Sequence, residues 1–292
     1  MAKSNLKVKK QASTANLKVV DKNAIKTTAY SDINLNDWRN YDHVKTDTLW
    51  EFPTRLKEGG HSNEYHGNYI PQIAQQIYER YTKQGDIVLD MFFGSGTSGI
   101  EAINMKRRCI GVELKEDLAE SVSEKFTPKQ LVTDVNIICA DSASEIAKEK
   151  IKARLDIMGR KQAQLLMLHP PYDDIIKFSD KKEDLSNCSS TEEFYDLFEK
   201  VAKNGYDMLE KGRFACLIIG DKYANSQHIP LGFECMARMN KLGFITKAII
   251  IKDMQGNERA KGKTANLWRY RALAGGFYIF KHEYVMVFQK VK

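Results

Sequence analysis

The segment Ile87-Val88-Leu89-Asp90-Met91-Phe92-Phe93-Gly94-Ser95-Gly96-Thr97-Ser98-Gly99 settles the architecture of this chain. Ile87-Val88-Leu89 is a short apolar run without polar alternation, as in a strand covered on both faces. The glycines allow a tight turn and close backbone approach, and a helix is predicted from about Ser98 to Met105. The N-terminus of such a helix favours an anionic or polar ligand. Outward from this unit the same order repeats. Cys109-Ile110-Gly111-Val112 reads as a strand before a helix near Leu118–Lys125, and Val135–Cys139 as a strand before a helix near Ser144–Ala153. Leu165–Leu168 is a fourth strand.

Upstream, Pro71 opens a helix to about Thr82, with Ile73, Ile77 and Tyr78 near helical spacing. Downstream, Ser190 and Glu193 form a capping box for a helix across Phe194–Leu209. Phe214–Ile219 reads as a fifth strand, Leu231–Leu242 as a helix, and Phe244–Ile251 with Tyr284–Phe288 as a closing pair of strands. Short apolar strands alternating with helices predict an α/β fold: a doubly wound, mostly parallel sheet with helices on both faces. Residues 1–30 are lysine-rich and aperiodic, and are expected to form a basic, disordered tail. Residues 31–292 are expected to form a single domain, within which the aromatic-rich stretch 36–70 is an ordered, loop-rich segment.

A chain of 292 residues with 42% hydrophobic and 28% charged residues can bury a sizeable core, so it reads as an ordinary globular protein. No apolar run approaches the roughly 18 residues that span a bilayer, and no apolar segment follows the lysine-rich N-terminus as in a secretory signal. Five widely spaced cysteines without a C-x-x-C pair imply a reducing, cytosolic setting, with no disulfide and no zinc site. The net charge of +7 is concentrated: residues 1–26 carry seven lysines against Asp21. A second basic cluster, Arg259, Lys261, Lys263, Arg269 and Arg271, is interleaved with Trp268 and Tyr270. Cations for phosphates with aromatics for stacking suit nucleic acid, and a solvated basic loop is the plain alternative.

Three predicted strand ends carry polar groups. Asp90 ends the first strand, Glu113 the second, where an acid can take both hydroxyls of a ribose, and Asp141 the third, where it could contact an adenine amino group. Together with the glycine turn they describe a nucleoside site at the switch point of a doubly wound sheet. The same acids could instead serve as turn residues and helix caps. Gly94-Ser95-Gly96-Thr97-Ser98-Gly99 also satisfies G-x-G-x-x-G, but Asp90 would repel a pyrophosphate, which argues against a nicotinamide enzyme. The fourth strand stops at His169-Pro170-Pro171-Tyr172. Prolines cannot continue a sheet ladder, so the chain leaves the sheet there and holds a flat aromatic ring beside a polar group at the carboxyl edge.

Asp90-x-Phe92-x-Gly94-Ser95-Gly96-Thr97 resembles the S-adenosylmethionine-binding motif I of amino-methylating DNA methyltransferases, and His169-Pro170-Pro171-Tyr172 resembles their catalytic motif IV. His66-Gly67-Asn68-Tyr69-Ile70-Pro71, through the helix to Gly85-Asp86, is similar to motif X. Gly111-Val112-Glu113 matches the ribose-binding acid and Asp141 the adenine-side residue, and His282–Lys290 is similar to the last strand. The resemblance covers roughly residues 50–290 in the order X, I, IV.

The resemblance implies a Rossmann-like methyltransferase fold with a seven-stranded-type sheet. It also implies a site-specific enzyme that moves a methyl group from S-adenosylmethionine to adenine N6 or cytosine N4 in double-stranded DNA, as in restriction–modification. The cofactor residues it implies are Tyr69, Pro71, Asp90, Phe92, Gly94, Ser95, Gly96, Thr97, Glu113 and Asp141. His169, Pro170, Pro171 and Tyr172 are its catalytic residues, with Tyr172 stacking on a flipped base and His169 with the Pro170 carbonyl accepting from its amine. The nucleic-acid contacts are expected at Arg259, Lys261, Lys263, Trp268, Arg269 and Arg271, within reading loops near 173–190 and 255–276 that could equally be cofactor lids. No metal, no membrane and no cysteine adduct is expected, and the cellular place is cytoplasmic, on the nucleoid in a bacterium. A homodimer or partner subunit is left open. The family usually has Asp, Asn or Ser where this chain has His169. That removes the residue that tells adenine from cytosine, and keeps an RNA methyltransferase or a weakened cofactor- and DNA-binding regulator as alternatives. Asp221, His228, His61 and His66 are expected to serve structure rather than chemistry.

Overall fold

The computed structural model describes residues 26–61, 67–126, 134–254 and 265–291. The expectations for residues 1–25, for His66, and for Arg259, Lys261 and Lys263 lie outside them. The elements are β1 (Leu49–Trp50), α1 (Pro71–Tyr81), β2 (Ile87–Asp90), α2 (Thr97–Asn104), β3 (Arg108–Glu113), α3 (Glu116–Lys125), β4 (Val135–Cys139), α4 (Glu145–Ile157) and β5 (Ala163–Leu168). There follow α5 (Thr191–Met208), β6 (Leu209–Ile219), β7 (Lys222–Ala224), β8 (Gln227–Ile229), α6 (Leu231–Lys241), β9 (Phe244–Asp253), α7 (Ala265–Gly275) and β10 (His282–Lys290).

One eight-stranded sheet runs in the order β1-β9-β10-β6-β5-β2-β3-β4. Every neighbouring pair is parallel except β10, which lies antiparallel between β6 and β9. The fold is therefore the expected doubly wound sheet of seven strands, with two-residue β1 added to the outer edge of β9. The chain order reverses between β2 and β5, and such a switch point opens a crevice at the carboxyl ends of the strands.

Strand alternation divides the core into two layers. Leu89, Ile110, Val112, Leu166 and Leu168 pack with α4 and α5 on one face, while Val88, Cys109, Leu165 and Met167 pack with α1 and α2 on the other. All six residues of β5 are buried, which explains its apolar run Leu165–Leu168. Gln164 is buried too, and its side-chain carbonyl accepts from the Ile87 N–H at 2.9 Å. The Ser190 hydroxyl caps α5 by accepting from Glu193 N, but the Glu193 carboxylate turns to the Ser189 N–H and hydroxyl, so the capping box is only half realised.

Two features differ from expectation, and a small hairpin adds to it. The domain starts before residue 31: the Tyr30 ring packs edge-on against Phe214 at 4.8 Å and Lys26 O accepts from Leu35 N. Residues 265–275 of the stretch predicted as the loop 255–276 form α7, whose Ala, Leu and Arg residues are strong helix formers and whose end falls at Gly276 with φ +66°. The small hairpin β7–β8 turns through Asn225 and Ser226 at φ 51° and 59°, a left-handed pair that suits a two-residue hairpin.

Candidate functional site

At the switch point a cleft lies over the ends of β2, β3, β4 and β5. Its floor begins with the turn after β2. Gly94 and Gly96 adopt φ 53° and 91°, conformations that side chains disfavour, and Gly96 then caps α2. Asp90, buried beneath the turn, accepts from the Phe92 N–H at 2.9 Å and from the Ser98 hydroxyl. Ser98 in turn shares a hydrogen bond of 2.5 Å with the Tyr69 hydroxyl, and Asn68 donates to Ser95 Oγ at 2.5 Å. The lead-in before α1 is thus laced to the glycine turn. Burial raises the Asp90 carboxyl to about 6, with the Ser98 and Phe92 hydrogen bonds opposing it.

Glu113, at the end of β3, accepts from Gly94 N and Lys115 N, each at 2.9 Å, and faces the cleft. Burial raises its carboxyl despite those bonds. The Gly94 N–H is therefore committed to a carboxylate rather than left for a phosphate, which separates this turn from a pyrophosphate cradle. Asp141 lines the cleft and accepts from Ala143 N at 2.9 Å, just ahead of Ser144, whose hydroxyl caps α4.

Of the residues implied for the cofactor, Tyr69, Phe92, Gly94, Thr97, Glu113 and Asp141 line this cleft. Pro71, Asp90, Ser95 and Gly96 stand behind them: Pro71 is the buried first residue of α1, and the other three belong to the turn. The acidic and turn donors fit a nucleoside-bearing cofactor: a carboxylate for vicinal hydroxyls, a second acid, and the aromatic Phe92.

His169, Pro170 and Pro171 line the same cleft from the end of β5. The imidazole sits edge-on between two tyrosines, 5.3 Å from Tyr69 and 5.8 Å from Tyr172 by ring centre. Burial lowers it to about 4, with the Glu283 carboxylate opposing and Lys252 assisting the fall, so at neutral pH it is uncharged and has one acceptor nitrogen. Tyr172 stands beside the cleft and packs on Gly220 after β6. A Cβ on Gly220 would lie 2.9 Å from Tyr172 Cε2.

Sequence reasoning missed what holds this turn. Asp173 takes φ 53° and is buried, accepting from Lys222 Nζ at 2.6 Å and Thr191 Oγ1 at 2.7 Å. Tyr172 donates to Glu283 Oε2 at 2.8 Å, and Glu283 Oε1 receives Lys252 Nζ at 2.9 Å. No sequence pattern pairs these residues: Lys252 and Glu283 meet through strand register, and the others through the turn after β5.

The segment 173–190 walls the cleft with Phe178, Glu183, Asp184 and Leu185, and Lys181 ties it to Leu114 O at 3.1 Å and Glu116 at 3.2 Å. Trp268, Arg269 and Arg271 lie on α7, with the Arg271 guanidinium over the Trp268 ring. Since β10 runs against β6, the β9–β10 connection that carries α7 leaves from the same carboxyl edge as the cleft. His61 is buried against α2, 2.5 Å from Glu101, and Asp221 accepts from Gly232 N and Tyr284 Oη and contacts His228 Nε2. Burial raises all five thiols, which leaves no activated nucleophile among them. Among the described residues no cluster of three or more His, Cys, Asp or Glu could hold a metal, and no helix is long and apolar enough to cross a membrane.

A cleft at the switch point with a Pro-Pro-Tyr turn on its rim belongs here to a doubly wound α/β fold. The chain belongs to the DNA methylase family of the N6/N4 type, whose model matches residues 2–124 and 163–292. It is 36% identical over 87 residues to the probable type III restriction-modification enzyme HindVI Mod subunit of Haemophilus influenzae, covering 28% of this chain and 12% of that one. It is 32% identical over 79 residues to the type II methyltransferase M.SmaI of Serratia marcescens, covering 27% and 26%. The matched stretches thus span about an eighth and about a quarter of these relatives' lengths. Among solved structures it resembles TrmN from Thermus thermophilus, with a TM-score of 0.48 and 16% identity over 77% of this chain and 50% of that one.

Proposed function

We infer that this protein transfers a methyl group from S-adenosylmethionine to the exocyclic amine of a base flipped out of duplex DNA, at adenine N6 or cytosine N4. The observation that carries this is the single cleft in which Glu113 and Asp141 meet His169, Pro170 and Pro171. Glu113 would accept from the ribose hydroxyls and Asp141 from the adenine amine of the cofactor. When bound, S-adenosylmethionine supplies an electrophilic methyl carried on a sulfonium.

The protein's own part is positioning and electrostatics. The neutral His169 nitrogen and the Pro170 carbonyl accept from the target amine and so aim its lone pair along the line of attack. Tyr172, backed by Gly220, offers a ring face to the flipped base. The segment 173–190 covers the cofactor side, while α7 and the basic residues before it reach the DNA, with Arg259, Lys261, Lys263, Arg269 and Arg271 on phosphates and Trp268 stacking. The protein works in the cytoplasm, on duplex DNA.

Incubation with methyl-labelled S-adenosylmethionine and either duplex DNA or structured RNA tests this. Label in DNA, lost in Tyr172→Ala, is the expected result. Label in RNA alone, or cofactor and DNA binding with no transfer to either, overturns it.

A further inference from the structure

The hydroxyl of Tyr172 has one proton and two neighbours, Glu283 Oε2 at 2.8 Å and His169 Nε2 at 3.4 Å. The shorter contact is to a carboxylate, and an ionised acceptor makes the stronger bond. Glu283 is kept ionised by Lys252, which faces it directly across β9 and β10 and is 2% exposed. The proton of Tyr172 is therefore committed to Glu283, and the phenolic oxygen turns a lone pair toward His169. A lone pair there is satisfied only by an Nε2–H. Among the described residues no other charged group bonds these four: both oxygens of Glu283 are used, one by Lys252 and one by Tyr172.

We propose that Glu283 and Lys252 are positioning residues that set the tautomer of His169 through the Tyr172 hydroxyl, placing the proton on Nε2 and leaving Nδ1 as the acceptor. This rests on the reading of His169 as the acceptor for the target amine and deepens it. A neutral imidazole has one donor and one acceptor nitrogen, and only the right tautomer presents a lone pair to an amine. Nδ1 is bonded to Cγ, as close to the main chain as a carboxylate oxygen of an aspartate would be. The relay thus gives a histidine the acceptor position of a short acidic side chain without its charge. The same carboxylate also fixes the Tyr172 ring, whose other support is Gly220.

The test is ¹⁵N NMR of histidine-labelled full-length protein without cofactor or DNA. His169 among the six histidines is assigned by the signal lost in His169→Asn. The wild type is expected to show a protonated Nε2 and an unprotonated Nδ1 from pH 6 to 8. Tyr172→Phe, which keeps the ring, should leave a mixture of tautomers. The double variant Glu283→Leu with Lys252→Met removes both charges together, frees the Tyr172 proton to turn to Nε2, and should invert the tautomer. An Nδ1–H form in the wild type, or a tautomer unchanged in Tyr172→Phe, overturns the proposal even if the double variant fails to fold. Because the readout needs no turnover, the expected tautomers in a protein that methylates nothing would sink the functional reading, and with it the acceptor role of Nδ1, while the tautomer assignment itself would stand.

Discussion

Asp90 costs the fold stability for the sake of the site, and Asp90→Asn should reveal how much. The carboxyl is 1% exposed, and burial raises it from an ordinary 3.8 to about 6. A raised carboxyl means that the native state binds a proton the unfolded chain has already lost between those two values. Stability from this residue is therefore highest at or below pH 3.8, falls as pH rises to 6, and stays low above it. The shift of about 2 units corresponds to about 3 kcal/mol at neutral pH. Asparagine keeps the geometry: its oxygen accepts from Phe92 N and its amide donates to Ser98 Oγ, leaving the Ser98 hydroxyl for Tyr69. Asp90→Asn should then raise the midpoint of thermal unfolding at pH 8 by about 6–12 °C, at about 2–4 °C per kcal/mol for a domain of this size. The advantage should shrink steadily toward pH 4.5. Paired melting curves from pH 4.5 to 8 read the difference directly and cancel every other titrating group. A difference that does not change with pH, or a variant less stable at pH 8, refutes the reasoning.

Gly220→Ala should push the Tyr172 ring off its seat, lowering methyl transfer about tenfold to a hundredfold while the melting temperature moves little; unchanged turnover would mean that Gly220 does not set the ring. Arg213 and Asp86 form a buried ion pair in which Arg213 also donates to Gln164 O at 3.1 Å. Arg213→Leu strands the Asp86 carboxylate and should cost about 3–5 kcal/mol in urea unfolding, and a loss below about 1 kcal/mol would contradict its burial. Burial lowers His169 to about 4, so methyl transfer should hold as pH falls through 6.5, with the His169 limb appearing only near 4. A pH–rate limb near 6.5 that disappears in His169→Asn would show an imidazole open to water.

The sheet was legible because its parallel strands are buried on both faces and so read as apolar runs: Val135–Cys139 was placed to the residue, and α1, α6 and β5 to within two at each end. The acids at the strand ends were legible for the same reason, since the ends themselves were. Residues whose partners are remote in sequence were not. Lys252 and Glu283 are 31 residues apart and Asp173 and Lys222 are 49 apart, and each is an ordinary charged residue until the fold brings the pair together. β1 is two residues long and carries no periodic signal. α7 has a basic, aromatic sequence without a clear apolar face, so only its helix propensity marked it, and Trp268 and Tyr270 interleaved with Arg269 and Arg271 drew the reading toward a loop. The tail boundary slipped because Tyr30 reaches Phe214 and Tyr81 across a polar stretch.

The central claim concerns one atom, the exocyclic nitrogen of a base in DNA. Duplex DNA of mixed sequence, treated with the full-length protein and S-adenosylmethionine, is digested to nucleosides and resolved by mass spectrometry. The account predicts N6-methyladenine or N4-methylcytosine, present with the wild type and absent with Tyr172→Ala. Methylation at carbon 5 of cytosine, or at a ring nitrogen, would contradict it.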